Sequence, residues 1–196
     1  MGFLYVFMGK SASGKDTLYH NIMEKHKEWK SVITYTTRPI RKGEVNGKEY
    51  YFVSEQQMLN WKKEGKVVEC RCYQTVKGAW YYFTLDDGQI DFSRENRCMI
   101  STLEGYEQIR SYYGKENVKP LYIEVPDMIR IERSLEREKR QETPCVAEVC
   151  RRFLADEEDF STENLQRLGI REKIENIRLE QAVLQIEKTI LADKKC

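Results

Sequence analysis

The hydrophobic pattern opens on an unbroken apolar run, Phe3-Leu4-Tyr5-Val6-Phe7-Met8. Such a run suits a strand buried on both faces of a parallel sheet. Small, turn-forming residues follow, and then helical spacing from Asp16 to about Lys27 with Leu18, Ile22 and Met23 inward. A second strand is predicted over Val32–Thr36. Asn46-Gly47 marks a tight turn, and Tyr50–Val53 is a strand by composition. Ser54-x-x-Gln57 is a capping-box pattern opening a helix over Glu55–Glu64, which Gly65 ends. Val67–Cys72 and Trp80–Leu85 read as strands, and Asp86-Asp87-Gly88 turns the chain into Gln89–Phe92.

From there strands and helices alternate. Cys98–Ser101 is a short strand, Leu103–Tyr113 a helix, and Leu121–Val125 a strand ended by Pro126. Asp127 is the expected cap of a helix to about Arg140, and Pro144 opens another to about Phe160. Ile170–Ile174 is a weak strand, Leu179–Leu191 an amphipathic helix, and Lys194-Lys195-Cys196 a frayed tail. This alternation argues for an α/β fold with a parallel central sheet. The stretch from about Ile33 to Ser93, β-rich and aromatic, is an excursion from that core.

The punctuation after the first strand carries chemistry. Gly9-Lys10-Ser11-Ala12-Ser13-Gly14-Lys15 is a Gly-x-x-x-x-Gly-Lys phosphate-binding loop placed between a strand and a helix. The glycines let successive backbone N–H groups turn inward, the helix start adds the positive end of its dipole, and Lys15 supplies a charge for the outer phosphates. Asp16 and Thr17 follow where a Ser or Thr usually ligates Mg²⁺, and either side chain offers oxygen to that ion. An ordinary Gly/Ser-rich turn is the plainer alternative.

Composition narrows the classes. Lys and Arg number 33 against 32 Asp and Glu in 196 residues, so no electrostatic footprint for nucleic acid is evident. No apolar run is long enough to span a bilayer, and the opening run lacks a basic leader. A cytoplasmic chain is expected, as a monomer or a homodimer. The six cysteines (Cys70, Cys72, Cys98, Cys145, Cys150, Cys196) are then reduced by default. Cys70-x-Cys72 lacks further ligands at zinc spacing.

Arg38 and Arg41, three apart around Pro39, are guanidinium forks that can converge on a phosphate, with Tyr50 and Tyr81 as phenolic donors. On spacing alone they also fit a basic surface loop. The longer segment Thr36-Thr37-Arg38-Pro39-Ile40-Arg41-Lys42-Gly43-Glu44-Val45-Asn46-Gly47-Lys48-Glu49-Tyr50-Tyr51-Phe52-Val53 resembles the signature of the guanylate kinase family, a group of P-loop nucleoside monophosphate kinases. The likeness runs from Phe3 to about Leu191 and is strongest up to Glu69. It implies a P-loop NTPase-type three-layer fold with a helical lid. Residues 1–32 and 94–196 would form the core, with the lid at about 137–152, and 33–93 a GMP-binding subdomain.

The resemblance also implies roles. Residues 9–17 and Asn176 would bind ATP, with Mg²⁺ near Asp16 or Thr17. Arg38, Arg41 and Tyr50 would hold the GMP phosphate, Thr34 would lie near guanine, and Glu69 would read it. The chemistry agrees, since a carboxylate accepts from both N1–H and N2–H₂ of guanine, whereas adenine lacks the N1 donor. Arg137, Arg140 and Arg151 would be lid arginines on the ATP phosphates; solvated helix charge is the alternative. Closing the excursion and lid would exclude water.

Three departures stand out. Ala12 replaces a usual glycine and Asp16 the usual small or hydroxyl residue. The family's Tyr-Gly-Ser/Thr element falls in Gly78-Ala79-Trp80-Tyr81-Tyr82-Phe83-Thr84, with Tyr81 the expected phosphate ligand. The family's Asp-x-Asp pair is replaced by Ile100-Ser101-Thr102-Leu103-Glu104-Gly105, so the usual carboxylate near Mg²⁺ and guanine is missing. Ser101 would lie in the GMP site, with Asp16, Asp87 or Glu104 the candidates to compensate. The expected activity is transfer of phosphoryl from ATP to GMP or dGMP. Alternatives are a kinase of another nucleoside monophosphate, a ribose bisphosphate phosphokinase, which the Gly-Lys-Asp also resembles, and a non-catalytic interaction module.

Overall fold

The computed structural model describes residues 2–75 and 78–193. The expected tail Lys194-Lys195-Cys196 lies outside them. In chain order the elements are β1 (Leu4–Met8), α1 (Lys15–Lys25), β2 (Lys30–Ser31), β3 (Tyr35–Thr36), β4 (Tyr51–Phe52), α2 (Glu55–Lys63), β5 (Val67–Thr75) and β6 (Gly78–Leu85). Then come β7 (Arg97–Ile100), α3 (Leu103–Tyr113), β8 (Val118–Glu124), α4 (Asp127–Glu138), α5 (Val146–Asp159), α6 (Thr162–Arg167), β9 (Ile174–Glu175) and α7 (Leu179–Asp193). Five strands form a sheet of order β2-β7-β1-β8-β9, in which β2–β7 and β8–β9 pair parallel. Four form a second sheet of order β4-β3-β6-β5. Among the described residues no helix is long and apolar enough to cross a membrane.

The chain divides into two compact units: Met1–Leu4 with Glu28–Met99 and Gly105–Lys119, and Tyr5–Lys27 with Ile100–Glu104 and Pro120–Cys196. In the second, every side chain from Tyr5 to Met8 is fully buried, as the unbroken apolar run requires. Leu18 and Ile22 of α1 are also fully buried, while Met23 is only half-buried. In the first, Met58, Phe83 and Leu85 form a small core against Tyr35, Trp61 and Val67. The predicted capping box is formed: Ser54 Oγ accepts from the Gln57 N–H, and the Gln57 side chain accepts from the Ser54 N–H.

Three local expectations change. The single strand over Val32–Thr36 is two strands in different sheets, β2 pairing with β7 and β3 pairing with β4 and β6. The periodicity of one segment is silent on a change of partner. Asp127 is the first residue of α4 and not its cap, because Pro126 occupies that place and the Asp127 carboxylate accepts from Arg130. Helix α6 was not anticipated; Ser161 caps it through the Asn164 N–H.

Candidate active site

The phosphate loop sits between β1 and α1 in the second unit. At Gly9 a Cβ would lie 2.5 Å from the Ile123 carbonyl oxygen and 2.7 Å from Ser13 Oγ, so the loop's close approach to β8 admits only glycine. Gly14 takes the left-handed region at φ 80° and serves as the cap of α1 without a side-chain bond. The first amides of α1 therefore carry the helix's positive end. Ala12, at φ 61°, is the one non-glycine residue with positive φ among the described residues. Asn176 is buried and donates from Nδ2 to the Ser13 carbonyl at 2.8 Å, so it braces the loop backbone.

Acidic residues of α5 hold the outer side of the loop. Asp156 accepts from the Ser11 N–H at 2.7 Å, and Glu157 accepts from Lys10 Nζ at 2.6 Å. Arg130, 1% exposed, ties both together: Nη1 lies 3.3 Å from Asp156, and Nη2 lies 2.6 Å from Glu157 and 2.9 Å from Asp127. Its guanidinium also stacks 4.6 Å from the Phe153 ring centre. Lys10 is thus committed to scaffolding, whereas the acidic partner of Lys15 among the described residues is Asp16, at 3.8 Å. Asp16 is 70% exposed and Thr17 is exposed at the first turn of α1. These hard oxygen donors suit Mg²⁺, which takes one or two protein ligands and completes its shell with water and phosphate oxygens.

Of the expected lid arginines, Arg137 lines a small cavity with Ser11, Arg130 and Asp156, and Arg140 lies on an open groove with Arg137. The exposed Arg151 instead forks onto the half-buried Glu148 at 2.7 and 2.8 Å. Its neighbour Arg152 lines both the cavity and the groove. Ser101 is buried, with its Oγ lacking a hydrogen-bond partner among the described residues.

The first unit holds a second cluster of charged and phenolic side chains. Arg38 is 3% exposed; it donates from Nε to Tyr82 Oη at 3.0 Å, and from Nη1 and Nη2 to Glu44 at 3.0 and 2.8 Å. The Tyr50 and Phe52 rings lie 5.6 and 5.5 Å from its guanidinium carbon. Glu44 also accepts from the Arg41 backbone N–H at 2.7 Å, while Arg41 itself is exposed. The Arg38 pair, and then that N–H, hold the Glu44 carboxyl below the usual range. Glu69 is 1% exposed; it accepts from Thr84 Oγ1 at 3.0 Å and from Arg71 at 3.1 and 3.3 Å. Thr34 is half-buried and accepts at its carbonyl from the Tyr51 N–H.

The family model for guanylate kinase matches residues 1–149. The chain belongs to the guanylate kinase family. The guanylate kinase of Thermosynechococcus vestitus is 28% identical over 193 residues, covering 97% of this chain and 94% of that one. That of Caldanaerobacter subterraneus subsp. tengcongensis is 28% identical over 195 residues, covering 98% and 88%. The match to the Nostoc guanylate kinase is 31% identical over 114 residues and spans 55% of that relative's length. The crystal structure of guanylate kinase from Anaplasma phagocytophilum shares the fold with a TM-score of 0.67 at 22% identity, covering 98% of this chain and 86% of that chain.

Against the guanylate kinase pattern, the aromatic strand β6 has its register set by β5. Tyr82 lies opposite Arg71 and Thr84 opposite Glu69, whereas Tyr81 lies opposite Cys72 and senses that thiol first. The expected phosphate ligand Tyr81 is therefore on the other face of the strand from the phenol that contacts Arg38. Phe83, between Tyr82 and Thr84, is fully buried. Reasoning from sequence also missed Arg71, Arg130, Asp156 and Glu157. Nothing local singles out Tyr82 in the aromatic run Trp80-Tyr81-Tyr82-Phe83, and the other four offered only charge.

Proposed function

We propose that this protein transfers the γ-phosphoryl group of ATP to GMP, giving ADP and GDP. The observation that carries this reading is the β5–β6 face, where a buried, hydrogen-bonded carboxylate, Glu69, shares one strand pair with Tyr82 and, through it, Arg38. A base edge with two donors and a phosphate are the two ends of one guanine nucleotide, and that face offers a partner for each.

The chain's own residues account for binding and charge. The amides at the start of α1 and Lys15 take the ATP phosphates. Asp16 and Thr17 would hold Mg²⁺, which supplies charge neutralisation at phosphate oxygens when bound. Arg38 and Arg41 offset repulsion between the acceptor anion and the triphosphate. Arg137, Arg140 and either Arg151 or Arg152 spread charge on the transferring group. An acceptor phosphate oxygen attacks the γ-phosphorus in line, so the protein supplies position and field and forms no covalent intermediate. Residues 33–93 would be the acceptor-binding part and 137–152 the lid. The free thiols Cys70, Cys72, Cys98, Cys145 and Cys150 support a cytoplasmic setting.

The test is a coupled ADP-release assay with ATP, Mg²⁺ and GMP, dGMP, AMP, CMP or a ribose bisphosphate as acceptor. GMP and dGMP should give the highest kcat/KM. Equal or better turnover of any other acceptor overturns the assignment, and no turnover of any acceptor removes the enzyme reading.

A further inference from the structure

Arg71 sits on β5 next to the acceptor-binding residues. It stands two residues from Glu69 on β5 and opposite Tyr82 on β6, so the three side chains share one side of the sheet. Its Nε and Nη2 grip Glu69 side-on, at 3.1 and 3.3 Å, and its side chain is 15% exposed where that carboxylate is fully covered. This uses two of its five N–H groups. The other three, two of them on Nη1, have no hydrogen-bond partner among the described residues. They form a second fork facing away from Glu69.

Arg38 is in the opposite condition. Its donors to Tyr82, the Pro39 carbonyl and both Glu44 oxygens leave a single N–H uncommitted. Tyr82, opposite Arg71 on the strand pair and bonded to Arg38, packs edge-on against Tyr50 with ring centres 5.6 Å apart, and the Arg38 guanidinium carbon lies 5.6 Å from the Tyr50 ring. Burial raises the Tyr50 phenol pKa, and the charges of Arg71 and Arg38 lower it. The cluster therefore has its open guanidinium edge on Arg71, beside the phenol expected at the acceptor phosphate. A phosphate monoester is the planar-fork ligand such an edge takes.

We infer that Arg71 is a third guanidinium of the acceptor-phosphate site, one edge holding the base-reading carboxylate and the other a phosphate oxygen of the acceptor nucleotide. It rests on the reading of GMP as acceptor. Arg71 then couples the two halves of recognition, because the same rigid group positions Glu69 and meets the anion.

Calorimetric titration of GMP and of guanosine, which lacks the phosphate, tests this on the full chain and on Arg71→Gln and Arg71→Lys. Glutamine keeps an N–H donor for Glu69 but loses charge and fork; lysine keeps the charge alone. In Arg71→Gln, GMP should bind about 10- to 100-fold more weakly, the worth of a charge-assisted fork. Guanosine affinity should fall by clearly less than that of GMP, because glutamine still donates to Glu69 while the anion contact is lost. Arg71→Lys should fall between wild type and Arg71→Gln for GMP, and guanosine binding in each variant doubles as the check on folding. Equal losses for GMP and guanosine would make Arg71 a base reader or a mere brace for Glu69. Unchanged or tighter GMP binding would make it a placeholder that the base displaces. Either result overturns the inference while leaving GMP as acceptor. A wild-type protein that binds neither ligand fails the acceptor reading itself, and this inference with it.

Discussion

Arg130→Met is the sharpest test of how the phosphate loop is held. The substitution keeps roughly the packed stem against Phe153 and deletes a guanidinium that is 2% exposed and contacts Asp127, Asp156 and Glu157. Breaking a buried ion pair from one side costs about 3–5 kcal/mol, because the partner charge is left behind. Here the partners are not wholly orphaned. Asp156 keeps the Ser11 N–H and Glu157 keeps Lys10, and Glu157 is 38% exposed. The loss should therefore lie at the low end, about 3 kcal/mol. For a chain of this length that is a fall in Tm of about 6–12 °C, at about 2–4 °C per kcal/mol. Scanning calorimetry at neutral pH reads it directly, with Glu157→Gln as the comparison, expected to lose about 1 kcal/mol or less as a half-exposed pair. Because Asp156 and Lys10 brace the loop from outside, KM for ATP should rise in Arg130→Met while KM for GMP stays put. A Tm within 2 °C of wild type, or a rise confined to KM for GMP, would refute the view of Arg130 as the hub of the loop's support.

Other outcomes follow from the same geometry. Lys15→Ala should abolish turnover with an unchanged circular-dichroism melt; residual normal activity would take the loop out of the mechanism. Glu69→Gln should erode preference for GMP over AMP by about 1.5–3 kcal/mol in kcat/KM, the worth of hydrogen bonds to a charged group. Ala12→Gly relieves a left-handed conformation that costs an L-residue about 1–2 kcal/mol but loosens the unfolded chain by about 0.4–1 kcal/mol, so Tm should stay level or rise slightly; a clear fall would mean that Ala12 is not strained. Glu44 is held below its usual pKa by Arg38, so this pair stabilises the fold fully above the unfolded value of about 4.3 and loses its contribution as pH drops through the lower folded value. The Tm gap between wild type and Glu44→Gln should accordingly be constant above about pH 5 and shrink in more acidic buffer; a gap that widens on acidification would contradict the assigned partner.

The sequence carried what is local and the structure added what is decided at a distance. The glycine loop, the capping box at Ser54 and the helix Leu103–Tyr113 follow from spacing within a few residues. Glu69 was legible as a lone carboxylate in an apolar strand. Tyr82 was not, because Trp80-Tyr81-Tyr82-Phe83 is aromatic at every position, and which phenol meets Arg38 depends on pairing with β5. Arg130 looked like one more charge on a polar helix; its burial comes from Asp156 and Glu157, 26 and 27 residues further on. Arg151 and Arg152 are adjacent and both reach Glu148, and only the packing of α5 against α4 decides that Arg152 is the one lining the cavity.

Strand β6 interleaves two jobs at single-residue pitch: Phe83 fills the core of its unit while Tyr82 and Thr84, on either side, face the acceptor cluster. Insertion or deletion of one amino acid within this strand would exchange the two sets, pushing both polar side chains inward and an aromatic ring outward. Such length changes should be far more damaging here than any single replacement, and lineages or libraries that vary this segment are expected to do so by substitution alone.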